Sequence, residues 1–251
     1  MPKILLEICV DDAAGFEAAV AGGADRIELC SALSVGGLTP SIGLIKFAAK
    51  FPIPTYAMVR PRAGDFVYSA NEIEMMQADI ASVRECGLAG IVIGASKVDG
   101  TLNSSQLRAL IAQANGLGLS LHRAFDLVTD FHSAIDTAIE LGFERVLTSG
   151  GATSASEGIA TLSDCMNYAA GRIKIMPGGG INVAAALTLL DKLPVQELHA
   201  SCSTIIIQNN SRLSELGFFE VGSKVTDQSK VQALRKVLNE FSDEGKYSGG
   251  I

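Results

Sequence analysis

Eight strand-like apolar runs that alternate with eight helical patterns predict a (β/α)8 barrel, the TIM-barrel architecture, as a single domain over residues 1–251. Links from a helix to the next strand are short, whereas links from a strand to the next helix are longer and carry the polar residues. This asymmetry is typical of barrels, whose functional loops follow the strands. The predicted strands cover about 4–10, 26–30, 54–59, 90–94, 119–124, 145–149, 173–177 and 197–201, and the predicted helices about 12–22, 40–50, 71–86, 104–115, 131–141, 155–170, 183–192 and 227–241.

An open, doubly wound sheet is the alternative architecture for such an alternation. That fold normally has a Gly-rich turn for a dinucleotide after its first strand. Here the first strand leads into Cys9-Val10-Asp11-Asp12, which contains no glycine. The sequence therefore favours the barrel.

Capping residues support several helix starts. Thr39 precedes Pro40, which predicts an N-cap followed by proline at the first helical position. Asn71 with Glu74 resembles a capping box, and 226–227 predicts the start of the last helix. The conformation of 202–226, the long link after the eighth strand, is not predicted.

Composition limits the class of partner. Apolar residues make up 48% of the 251 residues, which is enough for a large core, and the formal net charge is −7. An acidic chain is a poor match for nucleic acid or for an anionic membrane, but a local basic pocket still allows a small anionic substrate. No apolar stretch approaches the roughly 20 residues that span a bilayer.

Cysteine usage predicts the compartment. The five cysteines are odd in number and widely spread, and no secretion signal precedes the first apolar run at Ile4. They are interpreted as reduced thiols of a cytoplasmic protein.

Charged side chains at the ends of several strands predict one shared polar chamber. Because side chains alternate along a strand and apolar helices cover the outside of a barrel, the charged members should point inward. A set of structural ion pairs that plugs the barrel is the alternative. The candidate catalytic residues of this chamber are Glu7, Glu28, Arg60, His122 and His199.

Arginines and glycine-rich turns near the same strand ends predict a site for a small anion. Guanidinium groups suit carboxylate or phosphate, and backbone N–H groups of such turns can hold an oxyanion. The alternatives are an Arg–Asp brace within the loop and tight turns that need glycine. The candidate substrate-binding residues are Arg62, Asp65, Arg123, Asp126, Ser149, Gly150, Gly178, Gly179, Gly180 and Ser201.

Two thiols occupy matching positions in the first two strands. Cys9 and Cys30 could both point inward from neighbouring strands, where two thiolates could hold a soft ion such as Cu(I) or Zn(II). Cysteine is also common as a small buried apolar residue, so the residues alone leave both interpretations open.

At these same positions the chain resembles the CutC copper-homeostasis family. The resemblance lies in Glu7-Ile8-Cys9-Val10-Asp11, in residues 23–31 and 36–41, in Val59-Arg60-Pro61-Arg62, in His122-Arg123-Ala124-Phe125-Asp126, and in residues 145–150, 176–181 and 199–201. It implies a barrel, a cytoplasmic location, a homo-oligomer (dimer or tetramer), and Cu(I) bound by Cys9 and Cys30. Residues 205–210 look divergent from the family.

Two functional hypotheses follow. The first is a copper-homeostasis protein that binds Cu(I) through Cys9 and Cys30. The second is a barrel enzyme of unassigned activity that acts on a small anionic metabolite, with His122 or Glu28 as the acid–base group. Copper storage alone does not require the arginine and glycine motifs, so these motifs favour the enzyme.

Overall fold

The computed structural model describes residues 3–207 and 209–243, and the predicted (β/α)8 barrel is confirmed. Eight parallel strands pair in the order β7-β6-β5-β4-β3-β2-β1-β8, and β7 and β8 pack side by side to close the barrel. The strands are β1 (Leu5–Val10), β2 (Arg26–Leu29), β3 (Thr55–Met58), β4 (Gly90–Ile93), β5 (Gly118–Leu121), β6 (Arg145–Thr148), β7 (Lys174–Pro177) and β8 (Glu197–Ala200).

A helix follows each strand of the barrel and covers its outer face. The helices of the eight units are α1 (Ala13–Ala21), α2 (Ile42–Ala48), α3 (Ala70–Glu85), α4 (Ser104–Ala114), α5 (Phe131–Glu140), α6 (Ile159–Ala169), α7 (Val183–Lys192) and α9 (Gln228–Asp243). Their apolar sides bury residues such as Ile8 and Leu29 on the outer face of the strands. None of the helices among the described residues is long and apolar enough to cross a membrane.

The eighth unit carries an insertion between its strand and its helix. Residues 202–207 and 209–226 contain an antiparallel pair of strands, β9 (Ser203–Ile205) and β10 (Lys224–Thr226), with the short helix α8 (Ser211–Glu215) between them. This pair of strands lies beside the barrel mouth, because residues of β10 and Ser201 line one cavity.

The predicted N-caps of two helices are wrong by two residues, and α6 begins at Ile159 rather than near 155. α2 begins at Ile42 with Ser41 as its N-cap, because the Thr39 hydroxyl instead accepts a hydrogen bond from Arg60 N at 3.0 Å. The capping box of α3 consists of Ser69 and Glu72 rather than Asn71 and Glu74. Ser69 and Glu72 have the same spacing in the sequence, so the pattern alone did not distinguish the two pairs.

Glycines make room inside the barrel for one large ring. A Cβ at Gly90 would lie 2.3 Å from Tyr56 Cε1, and a Cβ at Gly118 would lie 2.2 Å from the Tyr56 hydroxyl. Tyr56 therefore fills the space that β4 and β5 leave empty, and the guanidinium of Arg145 lies 4.9 Å from its ring centroid.

Candidate functional site

A cavity of about 480 Å³ opens at the carboxyl ends of the barrel strands. Its lining combines donors from β1, β2 and β8 with residues that follow β3, β5 and β7. Of the predicted catalytic and metal-binding residues, the ones that line this mouth cavity are Cys9, Glu28, Arg60, His122 and His199.

Three neighbouring strands bring a thiol, a carboxylate and an imidazole together, and we call Cys9, Glu28 and His199 the ligand cluster. Their ligand atoms all lie within 4.8 Å of one another. His199 Nε2 is 3.8 Å from Glu28 Oε2, and Cys9 Sγ makes a long contact of 3.7 Å to the Ala200 carbonyl oxygen. Cys9 pairs with Glu28 across β1 and β2, so the parallel register places these side chains next to each other.

Glu7 orients the imidazole of the ligand cluster from below. It is fully buried, and its Oε1 lies 2.8 Å from His199 Nδ1. With Nδ1 donating its proton to this carboxylate, Nε2 is directed toward Glu28. Carboxylates hold the imidazole of metal-binding histidines in the same way in many metal sites. Glu7 Oε2 accepts from Arg26 Nε, which ties the orientation to the ion pairs deeper in the barrel.

The buried charges of this region shift one another's pKa. Burial raises the pKa of Glu7, but Arg26 and His199 lower it more, to about 2. Burial raises the pKa of Glu28 above its usual value. Burial lowers the pKa of His199, yet the Glu28 carboxylate and Cys9 raise it well above 6.5. At neutral pH the His199 imidazole is therefore protonated, and it lies between the Glu7 and Glu28 side chains.

Cys30 contacts the ligand cluster through Glu28 but does not line the mouth cavity. Its Sγ is 3.6 Å from Glu28 Oε2, and the side chain is fully buried under Gly37, where a Cβ would lie 3.0 Å from the sulfur. Burial, followed by the Glu28 charge, raises the Cys30 pKa well above 9.0. Without a metal, Cys30 is therefore a protonated thiol that donates to Glu28.

His122, at the end of β5, faces the ligand cluster from across the barrel. Its Nδ1 accepts a hydrogen bond from Ala124 N at 3.1 Å, so the proton of the neutral ring is on Nε2. This Nε2 is buried, and no partner for it occurs in the described part of the chain. Burial, with the nearby Arg60 charge, lowers the His122 pKa to about 3. The residue therefore offers an uncharged donor at the cavity wall.

Arg60 connects the loops after β2 and β3 beside the cavity. Its Nη1 donates to the carbonyl oxygens of Val35 at 2.8 Å and Gly37 at 3.1 Å, and its Nη2 donates to Gly64 at 2.8 Å. The guanidinium lies over the Phe66 ring at 4.9 Å, and Phe66 also contacts His122. Arg60 thus contributes positive charge to the cavity wall, while most of its N–H groups donate to backbone carbonyl oxygens.

Arg62 and Asp65 do not line the mouth cavity. Arg62 pairs with Asp65 at 2.9 Å and with Glu72, and its Nη2 donates to the Val67 carbonyl oxygen. These contacts lie within one loop and the start of α3, which favours the loop-brace interpretation for this pair.

The turn that follows β6 already holds an anion of the chain itself. Asp126 Oδ1 accepts hydrogen bonds from the backbone N–H groups of Ser149 and Gly151, both at 3.0 Å. Gly150 N donates to Thr148 Oγ1 at 2.9 Å. The donors expected to bind a substrate at this turn are therefore engaged by Asp126 and Thr148.

Arg123 is held at the mouth of the cavity with one edge of its guanidinium toward the next loop. Its Nε donates to Asp126 Oδ2 and its Nη2 to Ser149 Oγ, both at 2.6 Å. Its Nη1 faces Gly179, where a Cβ would lie 3.4 Å away. Arg123 is therefore pre-positioned by the same carboxylate that fills the turn.

The glycines of the loop after β7 have two different roles. Gly178 N donates to the Thr148 carbonyl oxygen at 3.0 Å and extends the sheet, whereas Gly179 and Gly180 line the cavity with φ of +95° and +72°. Positive φ of this size favours glycine. Ser201, after β8, also lines the cavity and lies 3.1 Å from Ser203 through the two hydroxyl oxygens.

A layer of ion pairs beneath the ligand cluster was missed by the sequence analysis. Arg26 bridges Glu7 and Glu197, at 2.7 Å to the latter, and Arg145 Nε lies 2.9 Å from the same Glu197 oxygen. Arg26 is two residues before Glu28, and Glu197 is two residues before His199. The alternation of side chains that placed Glu28 and His199 inside the barrel would have placed this layer as well.

Together the fold and the site define a (β/α)8 barrel with sulfur, carboxylate and imidazole donors at its mouth. The CutC family model matches residues 4–204, and the chain belongs to the CutC family. Among curated relatives, the CutC protein of Sinorhizobium medicae is 55% identical over 95% of this chain and 98% of its own length, and that of Caulobacter vibrioides is 47% identical over 94% and 97%.

Solved structures agree with the family and the fold. The CutC structure from Streptococcus agalactiae, described as that of a candidate copper homeostasis protein, has 32% identity and a TM-score of 0.76, and the match covers 79% of this chain and 98% of that one. A thiamine phosphate pyrophosphorylase from Pyrococcus furiosus matches with a TM-score of 0.59 at 12% identity, over 95% of this chain and 96% of that chain, which concerns the fold alone.

Proposed function

We propose that this member of the CutC family binds copper as Cu(I) in the mouth of its barrel, through the ligand cluster. The observation that carries the proposal is that ligand atoms of Cys9, Glu28 and His199 lie within 4.8 Å of one another. The description of the Streptococcus agalactiae relative as a candidate copper homeostasis protein supports the choice of metal.

The donor set suits a soft or borderline ion. Thiolate selects Cu(I), and imidazole binds copper and zinc alike. The Cys30 sulfur is 3.6 Å from Glu28 Oε2. If the thiol gives up this hydrogen bond and loses its proton, Cys30 supplies a second thiolate to the metal. Glu28 has a buried Oε1 without a hydrogen-bond partner within the described residues, so a cation there would complete its coordination. Zn(II) would use Cys9, Glu28 and His199 and is the main competitor.

We expect wild-type protein to bind one Cu(I) per chain, and Cys9→Ser and His199→Gln to weaken binding about 100-fold or more. Each substitution removes a donor that the remaining two cannot replace. The measurement is competition with a chromophoric Cu(I) chelator under reducing conditions, repeated with Zn(II).

Cys86→Ser is the matched control, because Cys86 is a half-buried thiol at the end of α3, away from the barrel interior. It should bind Cu(I) like wild type. Unchanged Cu(I) binding by the Cys9→Ser/Cys30→Ser double variant would remove both thiols from the site.

We further propose a cytoplasmic location and a homo-oligomeric state. All five cysteines are free thiols in the described chain, and this supports a reducing compartment. The family resemblance implies the homo-oligomer, and light scattering of the protein in solution would measure its mass.

A second candidate function is catalysis on a small anionic metabolite in the same cavity. Two buried polar atoms that line it, His122 Nε2 and Glu28 Oε1, have no hydrogen-bond partner in the residues described. Such atoms are costly unless a ligand satisfies them. Wild-type protein incubated with a pool of small carboxylates and phosphates should deplete one of them, as followed by mass spectrometry, and His122→Asn should not.

A further inference from the structure

The wall of the mouth cavity across from the ligand cluster carries two hydrogen-bond donors from consecutive residues. His122 Nε2 is a buried, uncharged donor, and Arg123 is a cation with its Nη1 edge toward Gly179. We propose that this wall binds a small organic acid with a hydroxyl or carbonyl oxygen next to its carboxylate. The oxygen accepts from His122 and the carboxylate pairs with Arg123. This inference deepens the second candidate function and rests on it.

The ring of His122 is fixed before any ligand arrives. Ala124 N holds Nδ1 at 3.1 Å, and the Phe66 ring packs against the imidazole with centroids 4.7 Å apart. Gly94 leaves the room for this position, since a Cβ there would lie 2.4 Å from His122 Cε1. A fixed neutral donor stabilises a neutral oxygen acceptor, such as a hydroxyl or a ketone, without adding a second positive charge.

Two guanidinium groups at the wall offer charged donors to an acidic ligand, and one of them, that of Arg123, also pairs with Asp126. Arg123 and Arg60 both line the cavity, and Arg60 also has a buried Nε without a partner among the described residues. Charge-assisted hydrogen bonds to guanidinium are about twice as strong as those between neutral groups. One end of the ligand should therefore be acidic.

Several backbone donors that could bind a phosphate are engaged within the chain, and we therefore expect a carboxylate. Barrel enzymes often bind phosphate with backbone N–H groups after the last strands. Here the N–H groups of Ser149 and Gly151 are bonded to the Asp126 carboxylate, and Gly178 N is bonded to Thr148. Nε and Nη2 of Arg123 are bonded to Asp126, Ser149 and the Ala152 carbonyl oxygen, so Nη1 is the group that would donate to a carboxylate oxygen of the ligand. A cavity of about 480 Å³ is large enough for such an acid.

The test is calorimetric titration of wild-type protein with pairs of acids that differ in one oxygen. Lactate and propionate form one pair, and malate and succinate form another; glycolate, pyruvate and glycerol 3-phosphate complete the set. We expect at least one 2-hydroxy or 2-oxo acid to bind about tenfold tighter than the partner that lacks the oxygen, because the partner leaves His122 Nε2 unsatisfied.

Variants of the wall should separate the two donors. His122→Asn keeps an acceptor for Ala124 N but loses the donor at Nε2, so the preference for the extra oxygen should disappear. His122→Gln places an amide donor near Nε2 and should restore part of it. Arg123→Gln should weaken all the acids about tenfold. The controls are His132→Gln and Arg108→Gln, which change exposed residues of α5 and α4 and should leave binding unchanged.

Two results would overturn the inference. The first is equal binding of each acid and its partner to wild type, and the second is a clear preference for glycerol 3-phosphate. Both comparisons use wild-type protein, so they hold even if a variant fails to fold. Depletion of a metabolite that has no carboxylate would support the second candidate function and contradict this inference. Binding of an acid without its turnover would support this inference and contradict catalysis on that acid.

Discussion

Glu7→Gln is expected to lower the free energy of unfolding by about 3 to 5 kcal/mol, which is typical when one partner of a buried ion pair is removed. Glu7 is fully buried, and its two oxygens contact Arg26 and His199. Glutamine has nearly the same shape but no charge, so two buried cationic groups lose their shared counter-charge. Urea unfolding at neutral pH, followed by circular dichroism, measures the change.

Glu140→Gln is the matched control for this substitution. Glu140 pairs with Arg108 at the surface, and both side chains are more than half exposed. An exposed pair of this kind contributes about 1 kcal/mol or less. If Glu7→Gln lowers the free energy of unfolding no more than this control, the ion pairs beneath the ligand cluster do not stabilise the barrel as we describe.

Acidification from pH 6.5 toward pH 3 is expected to destabilise the protein by several kcal/mol, chiefly through His122. Burial lowers the His122 pKa to about 3 from 6.5, so in this window the unfolded chain takes up a proton that the folded chain does not. The stability that the neutral ring contributes is therefore present above pH 6.5 and is lost as pH falls. Glu7, with its pKa lowered to about 2 from 4.5, adds a second loss below pH 4.5.

His122→Asn should flatten the upper part of this profile, because asparagine does not titrate. Wild type and variant are compared by urea unfolding between pH 7 and 5, where most surface carboxylates stay ionised. His132→Gln, at the surface, should leave the slope as it is in wild type. Equal slopes for wild type and His122→Asn would mean that His122 titrates normally in the folded protein.

The barrel and the inward direction of its charged residues could be predicted because both depend on local patterns. Alternation of side chains along β1, β2 and β8 puts Glu7, Glu28 and His199 inside, and all three are buried in the structure. The same rule applied two residues earlier would have added Arg26 and Glu197. The sequence predicts this layer as well once the alternation of side chains is followed along the whole of each strand.

Which residues share a contact could not be read from the sequence in the same way. Cys9 and Cys30 occupy matching positions in their strands, yet the parallel register pairs Cys9 with Glu28. His199 completes the ligand cluster because β8 closes the barrel beside β1, a contact between residues almost 200 positions apart. The predicted barrel places β8 beside β1, but the sequence does not show the register that brings His199 opposite Glu7.

Other features depended on competition between partners. The Ser149–Gly151 turn has the composition of an anion site, but Asp126, more than 20 residues earlier, is the anion that it holds. Arg62 had the chemistry for a substrate clamp, but Glu72 at the start of α3 pairs with it instead. A motif shows which bonds a residue can make, and the tertiary structure decides which of them remain available.

The most direct test of copper binding at the ligand cluster is anomalous diffraction at the copper edge from crystals loaded with Cu(I) under reducing conditions. We expect one strong peak per chain in the mouth cavity, bonded to Cys9 Sγ and to His199 Nε2, with the Glu7 carboxylate still on His199 Nδ1. A peak at another thiol such as Cys86, or a copper-free ligand cluster with His199 still between Glu7 and Glu28, would contradict the account.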